Sequence, residues 1–421
     1  MNTTNQSQGR QDAMKMSTFF LLYIAQSVPM SFFSTVIPVI MRQEQFSLAS
    51  IGLLQFIKLP WLLKFMWSPA IDRTAHTLND YKKWIIISEI IYGSLILTVA
   101  FLSLKTDFYL ILLLIILSFI ASATQDIATD ALAIRSFPAT RRPLLNSMQS
   151  MGAFGGTMIG SGILLILYHY RGWNELLPML ACFVLIAIIP LRFYHQTLPK
   201  DPARHQRMKG SLILSFFRQK GSVRQILFLF LFYNSLIGIL AMSRPYMVDL
   251  GYMMKEIGII SGFAGTLTGC VSAFGGGLLL RRIGTERTQI ICSLLIVFVS
   301  LSFYAQALHL LPLKALPILI CLLWGVYGLS SVTLNTTAMQ YVRPGCEGTD
   351  FTLQTVICHF SGILMAVGYG RIADYTGYST LFLFSALIGF IALLYIHFIF
   401  NNSKDQIAPN SLKQEYPSKS L

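Results

Sequence analysis

Charged side chains inside long apolar runs are the residues of this sequence that could do chemistry. A Lys or Asp at the middle of a membrane helix costs ~2.5–3.5 kcal/mol on insertion scales, so each one calls for a compensating use. In the stretch Gln125-Asp126-Ile127-Ala128-Thr129-Asp130 the two carboxylates stand one helical turn apart. They lie roughly 40° apart around the axis and share a face. Two carboxylates that close in a poor dielectric cannot both ionise easily without a nearby cation, which suits one of them to take up and release a proton. A fixed bridge to Arg73, Arg135 or Lys64 is the other reading of the same pair, and the sequence leaves both open.

Lys58 falls at mid-depth of its apolar run, just before Pro60 and Trp61, and Lys64 follows six residues on. That spacing puts Lys64 ~9 Å further along and about 120° around a helix, so the two lysines have different tasks. Lys58 is placed to meet a solute carboxylate or phosphate, and Lys64 to neutralise Asp126 and Asp130. Arg244, before Pro245, adds a third cation. If the three face a common cavity it is positive and favours anions; if they snorkel along their alkyl stems, they are only anchors. Glu89 and His359 are secondary candidates in other apolar runs.

The elements that position these groups follow from composition. The chain has 421 residues, 54% hydrophobic and only 12% charged, with a mean hydropathy of +0.61. Soluble domains carry roughly 25% charged residues, so water is not the main solvent here. Apolar runs long enough to cross a ~30 Å hydrocarbon layer predict spans near 17–40, 48–71, 83–104, 108–133, 145–168, 173–194, 224–247, 255–280, 288–308, 314–339, 350–370 and 377–400. The expected fold is an all-α integral membrane protein, twelve helices in two six-helix bundles. Residues 1–16 read as a polar tail with no cleavage site, 17–194 as the first bundle, 195–223 as a basic linker, 224–400 as the second bundle and 401–421 as a short tail. Within the linker, the SLILSFF stretch suits a short helix at the membrane surface.

The net charge of +14 is mostly a topology signal rather than a nucleic-acid footprint. Of the 32 Lys and Arg, 23 fall on one side of the predicted spans, six on the other and three inside them. That bias assigns both termini to the cytoplasm. Six cysteines show neither CxxC spacing nor metal-ligand spacing and read as small buried side chains. No cofactor or metal is expected.

The halves read as copies. SLASIGLLQ at 47–55 aligns with MKEIGIISG at 254–262, and the segment at 128–150 aligns with that near 335–357, both at a shift of about 206. Glycines four apart, Gly152, Gly156 and Gly160, then Gly258 and Gly262, make smooth stripes that allow close helix approach.

Ser68-Pro69-Ala70-Ile71-Asp72-Arg73 resembles the G-x-x-x-D-R signature that major facilitator transporters carry after their second helix, with serine in place of glycine. The resemblance implies that Asp72 caps a neighbouring helix and, with Arg73 and Arg135, latches the cytoplasmic side. It also implies that spans five and eight face each other across the halves, so that the glycine stripes would slide during rocking. LYIAQSVPMSFFSTVIPVIMR at 22–42, SIGLLQFIKLPWLLKFMWSPAIDR at 50–73 and ATQDIATDALAIR at 123–135 are similar to the AmpG-like branch of that superfamily, strongly in the first half and less from span seven on. This branch holds muropeptide permeases, acetyl-CoA transporters and siderophore importers. Its span-two Lys-Pro-Trp-Lys run and span-four Q-D-x-x-x-D pair map here to Lys58, Pro60, Trp61, Lys64, Gln125, Asp126 and Asp130. Together with the charge reading, this makes Lys58, Trp61, Gln125 and Arg244 the expected solute-binding residues and Asp126, Asp130 and Lys64 the expected coupling residues.

The expectation is a monomeric, proton-coupled importer of a bulky anionic solute in the bacterial inner membrane, muropeptide-like, with siderophore import as the rival. A membrane enzyme would need a nucleophile or His-Asp motif near a headgroup-level opening, which the sequence lacks. A sensor would need a sizeable signalling tail, and the C-terminal segment is short.

Overall fold

The computed structural model describes residues 2–43, 45, 54–192 and 211–400. Regular structure among them is helical throughout. Eight stretches are long and apolar enough to cross a membrane, and two of these, Arg142–Arg192 and Glu347–Phe400, have twice the needed length. Each doubled stretch is two helices meeting at a glycine, Gly172 (φ 69) or Gly377 (φ 85). Only glycine takes up that backbone conformation without strain. The two glycines stand apart by the shift that relates the sequence halves, to within one residue, so the duplication is written in the backbone as well.

Two further crossings complete the expected twelve. One is Leu78–Val99, and the other is a broken helix made of Leu54–Lys58, Leu59–Leu63, Lys64–Met66 and Ser68–Thr74. In chain order we label α1 (Asn2–Ser31, continued by Phe32–Val36 and Ile37–Gln43), α2 (the broken helix) and α3 (Leu78–Val99). Next come α4 (Phe108–Ser136), α5 and α6 (the limbs of Arg142–Arg192), and α7 (Ser222–Asp249). The last are α8 (Lys255–Ile283), α9 (Thr285–Ala307), α10 (Leu313–Gln340), and α11 and α12 (the limbs of Glu347–Phe400). The protein is thus an all-α membrane protein of two six-helix bundles. Helix α1 begins at Asn2, within the stretch expected as a tail. Linker residues 195–210 and the tail 401–421 lie outside the described residues.

The breaks in α2 have a local cause. Pro60 and Pro69 open the segments Leu59–Leu63 and Ser68–Thr74. A proline in a first helical turn loses no bond of its own but denies one to the preceding turn, which tightens to 3-10 geometry. Both tightened turns end on a lysine-bearing segment, Leu54–Lys58 and Lys64–Met66.

Each bundle has its own apolar core, around Phe33, Ile115 and Phe119 in the first and Phe228, Ile296 and Phe382 in the second. A third cluster crosses between them, packing Tyr81, Ile127 and Leu132 against Ala338, Met339 and Phe351. It sits at the end of the molecule that carries most of the basic residues, called here the basic end. Above it α5 meets α8 and α10 through Phe154, Ala273 and Val332.

The glycine stripe of α5 does not face α8, contrary to expectation. A side chain at Gly152, Gly156 or Gly160 would collide with Tyr23, Ser27 and Val28 of α1, in the same bundle. Gly258 and Gly262 face open space, while Gly269 approaches Trp324 and Phe154. Contact between α5 and α8 is made elsewhere, where Gly277 lies against Ser147 and the Pro143 carbonyl. The stripe on α5 is therefore a within-bundle packing surface, as small residues on membrane helices usually are.

Of the linker, Leu212–Phe217 is helical and is capped by Ser211, whose hydroxyl accepts from the Leu214 N–H. Leu212 and Phe216 are buried, and Leu214 and Phe217 are exposed. Arg343 holds it to the second bundle, donating to the Leu212 carbonyl at 3.0 Å.

Candidate functional site

Between the bundles lies a cavity of about 530 Å³. Its first-bundle wall carries Lys58, Trp61 and Lys64 from α2, Asp126 and Asp130 from α4, and Tyr23 and Gln26 from α1. The second-bundle wall is aromatic and weakly polar, with Phe232, Tyr233, Tyr327, Cys358 and His359. The residues at its floor, toward the basic end, are Gln149, Ser331 and Asn335.

Because the two aspartates share a face, they reach the cavity together but meet different partners. Lys64 Nζ stands 2.5 Å from Asp126 Oδ2, both groups nearly inaccessible, and the same ammonium lies 4.8 Å from the Trp61 ring centroid. Among the described residues Asp130 makes no ion pair. Its Oδ1 accepts from the Tyr23 hydroxyl at 2.7 Å and from Gln149 Nε2 at 3.1 Å. Gln149 Oε1 in turn accepts from Asn335 Nδ2 at 3.2 Å. One side chain thus separates Asp130 from the second bundle.

Lys58 is exposed in the cavity wall. Gln125 is not in that wall; it lies behind it, fully buried, with its Oε1 accepting from Gln26 Nε2. Arg244 is exposed outside the cavity, its Nε 3.4 Å from Ser261 Oγ. Of the sequence candidates, the structure therefore brings Lys58, Trp61, Lys64, Asp126 and Asp130 together and leaves Gln125 and Arg244 apart.

Asp72 crosses the molecule at the basic end. Fully buried, it accepts from the backbone N–H groups of Gly348 (3.0 Å) and Thr349 (2.7 Å), the Thr349 hydroxyl (2.7 Å) and the Tyr81 hydroxyl (2.9 Å). A carboxylate at the unsatisfied amides of a first turn is a favourable cap. Arg135 makes no ion pair with Asp72 among the described residues; it lies over the Tyr81 ring and donates to the His76 carbonyl at 3.4 Å. Arg73 is exposed.

Further bonds close the same end. Arg142 donates to the Met339 carbonyl (3.0 Å), Asn146 to Thr336 (3.1 Å), Ser147 to the Ala273 carbonyl (2.8 Å), and Ser150 meets Ser331 at 2.7 Å. Sequence reasoning missed Tyr23, Gln26, Gln149 and Asn335. The repeat held a signal for the last, since Asn335 falls in the segment aligned with 128–150, which contains Asp130.

Comparison with known proteins now decides the family. The family model of the Major Facilitator Superfamily matches residues 19–367. The chain belongs to that superfamily. Among curated relatives, the anhydromuropeptide permease of Escherichia coli K12 is 23% identical over 392 residues, 90% of this chain and 79% of that one. A putative transporter AmpG 4 of Rickettsia conorii is 22% identical, covering 91% and 96%. The crystal structure of the human organic anion transporter TETRAN superposes with a TM-score of 0.72 at 14% identity, over 91% of this chain and 99% of that one. Membership of this superfamily makes the protein a transporter of small solutes rather than an enzyme, and the AmpG-named relatives agree with the resemblance read from α1, α2 and α4.

Proposed function

We propose that this protein imports a bulky, polar, anionic solute across the bacterial inner membrane by proton-coupled alternating access, with both termini cytoplasmic and the monomer as the working unit. The carrying observation is the placement of Lys58, the Lys64–Asp126 pair and Asp130 in one cavity whose basic end is shut by the Asp72 cap. With its cytoplasmic side shut, the molecule is in an outward-facing state.

The chemistry of the wall supports the solute class. Lys58 offers a positive point charge for a carboxylate or phosphate. Trp61, Tyr233 and Tyr327 offer flat faces, and the hydroxyls and amides of Ser27, Ser31, Gln149 and Asn335 offer hydrogen bonds. A cavity of ~300–1,000 Å³ suits a small molecule, and this one fits a sugar-peptide fragment such as an anhydromuropeptide, the solute named for the Escherichia coli relative. In this reading Lys64 is taken up by Asp126, so Asp130, held by two neutral donors, is the carboxyl that loads and unloads the proton. Loading weakens the Gln149 bond, the link to α10, and so ties protonation to movement between bundles.

Uptake of labelled anhydromuropeptide into proteoliposomes under an inward proton gradient tests this. Accumulation that collapses with a protonophore supports it. No accumulation, with accumulation of a ferric siderophore instead, would keep the mechanism and replace the solute; accumulation of neither removes the reading.

A further inference from the structure

Glu89 of α3 is fully buried in the first bundle, and among the described residues neither of its carboxyl oxygens has a hydrogen-bond partner. Gln125 Nε2 is likewise buried without a partner there. The Tyr92 and Ser122 hydroxyls are buried too, with Ser122 within reach of Tyr92. Native interiors leave few such atoms, and each one calls for an explanation.

These four side chains belong together. Helices α3 and α4 run antiparallel and pack closely along their length. Glu89 lies as far from Leu78, at the basic end of α3, as Gln125 lies from Ser136, at the basic end of α4. Tyr92 and Ser122 stand in the same relation one turn further out, so Glu89 shares its depth with Gln125 and Tyr92 with Ser122. Tyr92 is near enough to feel the Glu89 carboxyl and to face Ser122. Gln125 then continues the row, through its bond to Gln26, to the cavity wall.

Among the described residues no cation stands beside Glu89. Asp126 and Asp130, from α4, line the cavity. Cys182 of α6 is exposed, and Glu175 and Arg192 lie at its two ends. From α2, Asp72 and Arg73 lie at the basic end, as do Asp80, Lys82 and Lys83 of α3 itself. An ionised carboxylate with no partner is strongly disfavoured in such a place. A neutral acid is far better tolerated, and its hydroxyl and carbonyl match the amide and hydroxyls at its depth.

We propose that Glu89 is a second proton-binding site, behind the cavity and in exchange with it along the polar row Tyr92, Ser122, Gln125 and Gln26. The proton sits on one carboxyl oxygen. It leaves as a hydroxyl or a bridging water of the row takes it up and passes its own proton on, and a proton returns by the reverse shift, so that no relay group keeps an extra proton. Such a site stores a proton out of reach of the solute. Its use in coupling rests on the proton-driven reading above, but its existence does not.

Infrared spectroscopy of the purified protein in H2O and D2O tests the site without any solute, so its failure and that of the transport reading are distinguishable. The expected spectrum holds a neutral carboxylic-acid carbonyl band that Glu89→Gln removes and Glu89→Asp displaces. Should the Gln variant not fold, the displacement by Asp carries the assignment. Transfer to D2O should shift that band, and Gln125→Leu should slow the shift. A spectrum in which neither variant alters a carboxylic-acid band means an ionised Glu89. A band that never shifts in D2O means a sealed, structural acid, and exchange unchanged in Gln125→Leu means that the row is not the route. Each of these three results overturns the proposal.

Discussion

Asp130 in the first bundle and Asn335 in the second are joined through a single side chain, Gln149, which donates to the carboxylate and accepts from the amide. Protonating or removing the carboxylate weakens a bond that spans the bundles through one intermediate. Asp130→Asn is expected to abolish uphill uptake of anhydromuropeptide while exchange across equal gradients persists. Loss of both activities, or of neither, in proteoliposomes would detach Asp130 from coupling.

Lys64 and Asp126 form a buried pair, and removing one partner of such a pair strands the other charge. Lys64→Met is expected to destabilise the detergent-solubilised protein by about 3–5 kcal/mol, with the double variant Lys64→Met, Asp126→Leu recovering much of the loss. Thermal unfolding of the three variants reads the coupling. Additive losses would mean that the pair contributes nothing as a pair.

Lys58 faces the cavity with no carboxylate assigned to it. Lys58→Ala should raise the apparent KM for an anionic solute by about 10–150-fold, the worth of a charged hydrogen bond, with expression and folding unchanged. An unaltered KM would move the anion site elsewhere.

Asp72 is held at the basic end by three donors of α11, the Gly348 and Thr349 N–H groups and the Thr349 hydroxyl. Spin labels on the basic ends of α2 and α11 should report a short distance that Asp72→Ala lengthens. A distance unchanged in that variant would mean that the cap does not hold this end shut.

The glycine stripe gives a packing test. Gly156→Leu should prevent folding or strip α5 from α1, whereas Gly258→Leu, facing open space, should fold normally. Size-exclusion profiles of the two variants settle it.

Much of this architecture is legible in the residues themselves. Apolar run length gives the crossings, and the four-residue step from Asp126 to Asp130 places both in one cavity. What the chain alone does not disclose is which neighbour a small or polar side chain meets. The Gly152-Gly156-Gly160 step fits any close helix contact, and only packing shows that α1 fills it. Arg135 has the charge to pair with Asp72, yet the Tyr81 ring and a backbone carbonyl take it. Gln149 and Asn335 carry no charge and so stand out in no hydropathy profile, although they form the bridge between bundles. Arg244 has the same outlier status as Lys58, but its position toward the outer end of α7 leaves it outside the cavity.

Two of the donors to Asp72 are amides of the main chain. No exchange of side chain at 348 or 349, short of proline, can delete them, so half of this lock is written into the polypeptide itself. The other half can drift, since the Thr349 and Tyr81 hydroxyls and the acid itself are side chains. A lineage could loosen the catch by degrees at 349 or 81, but only a change at position 72 would abolish it, and a comparison of sequences at these three sites would reveal which descendants had done either.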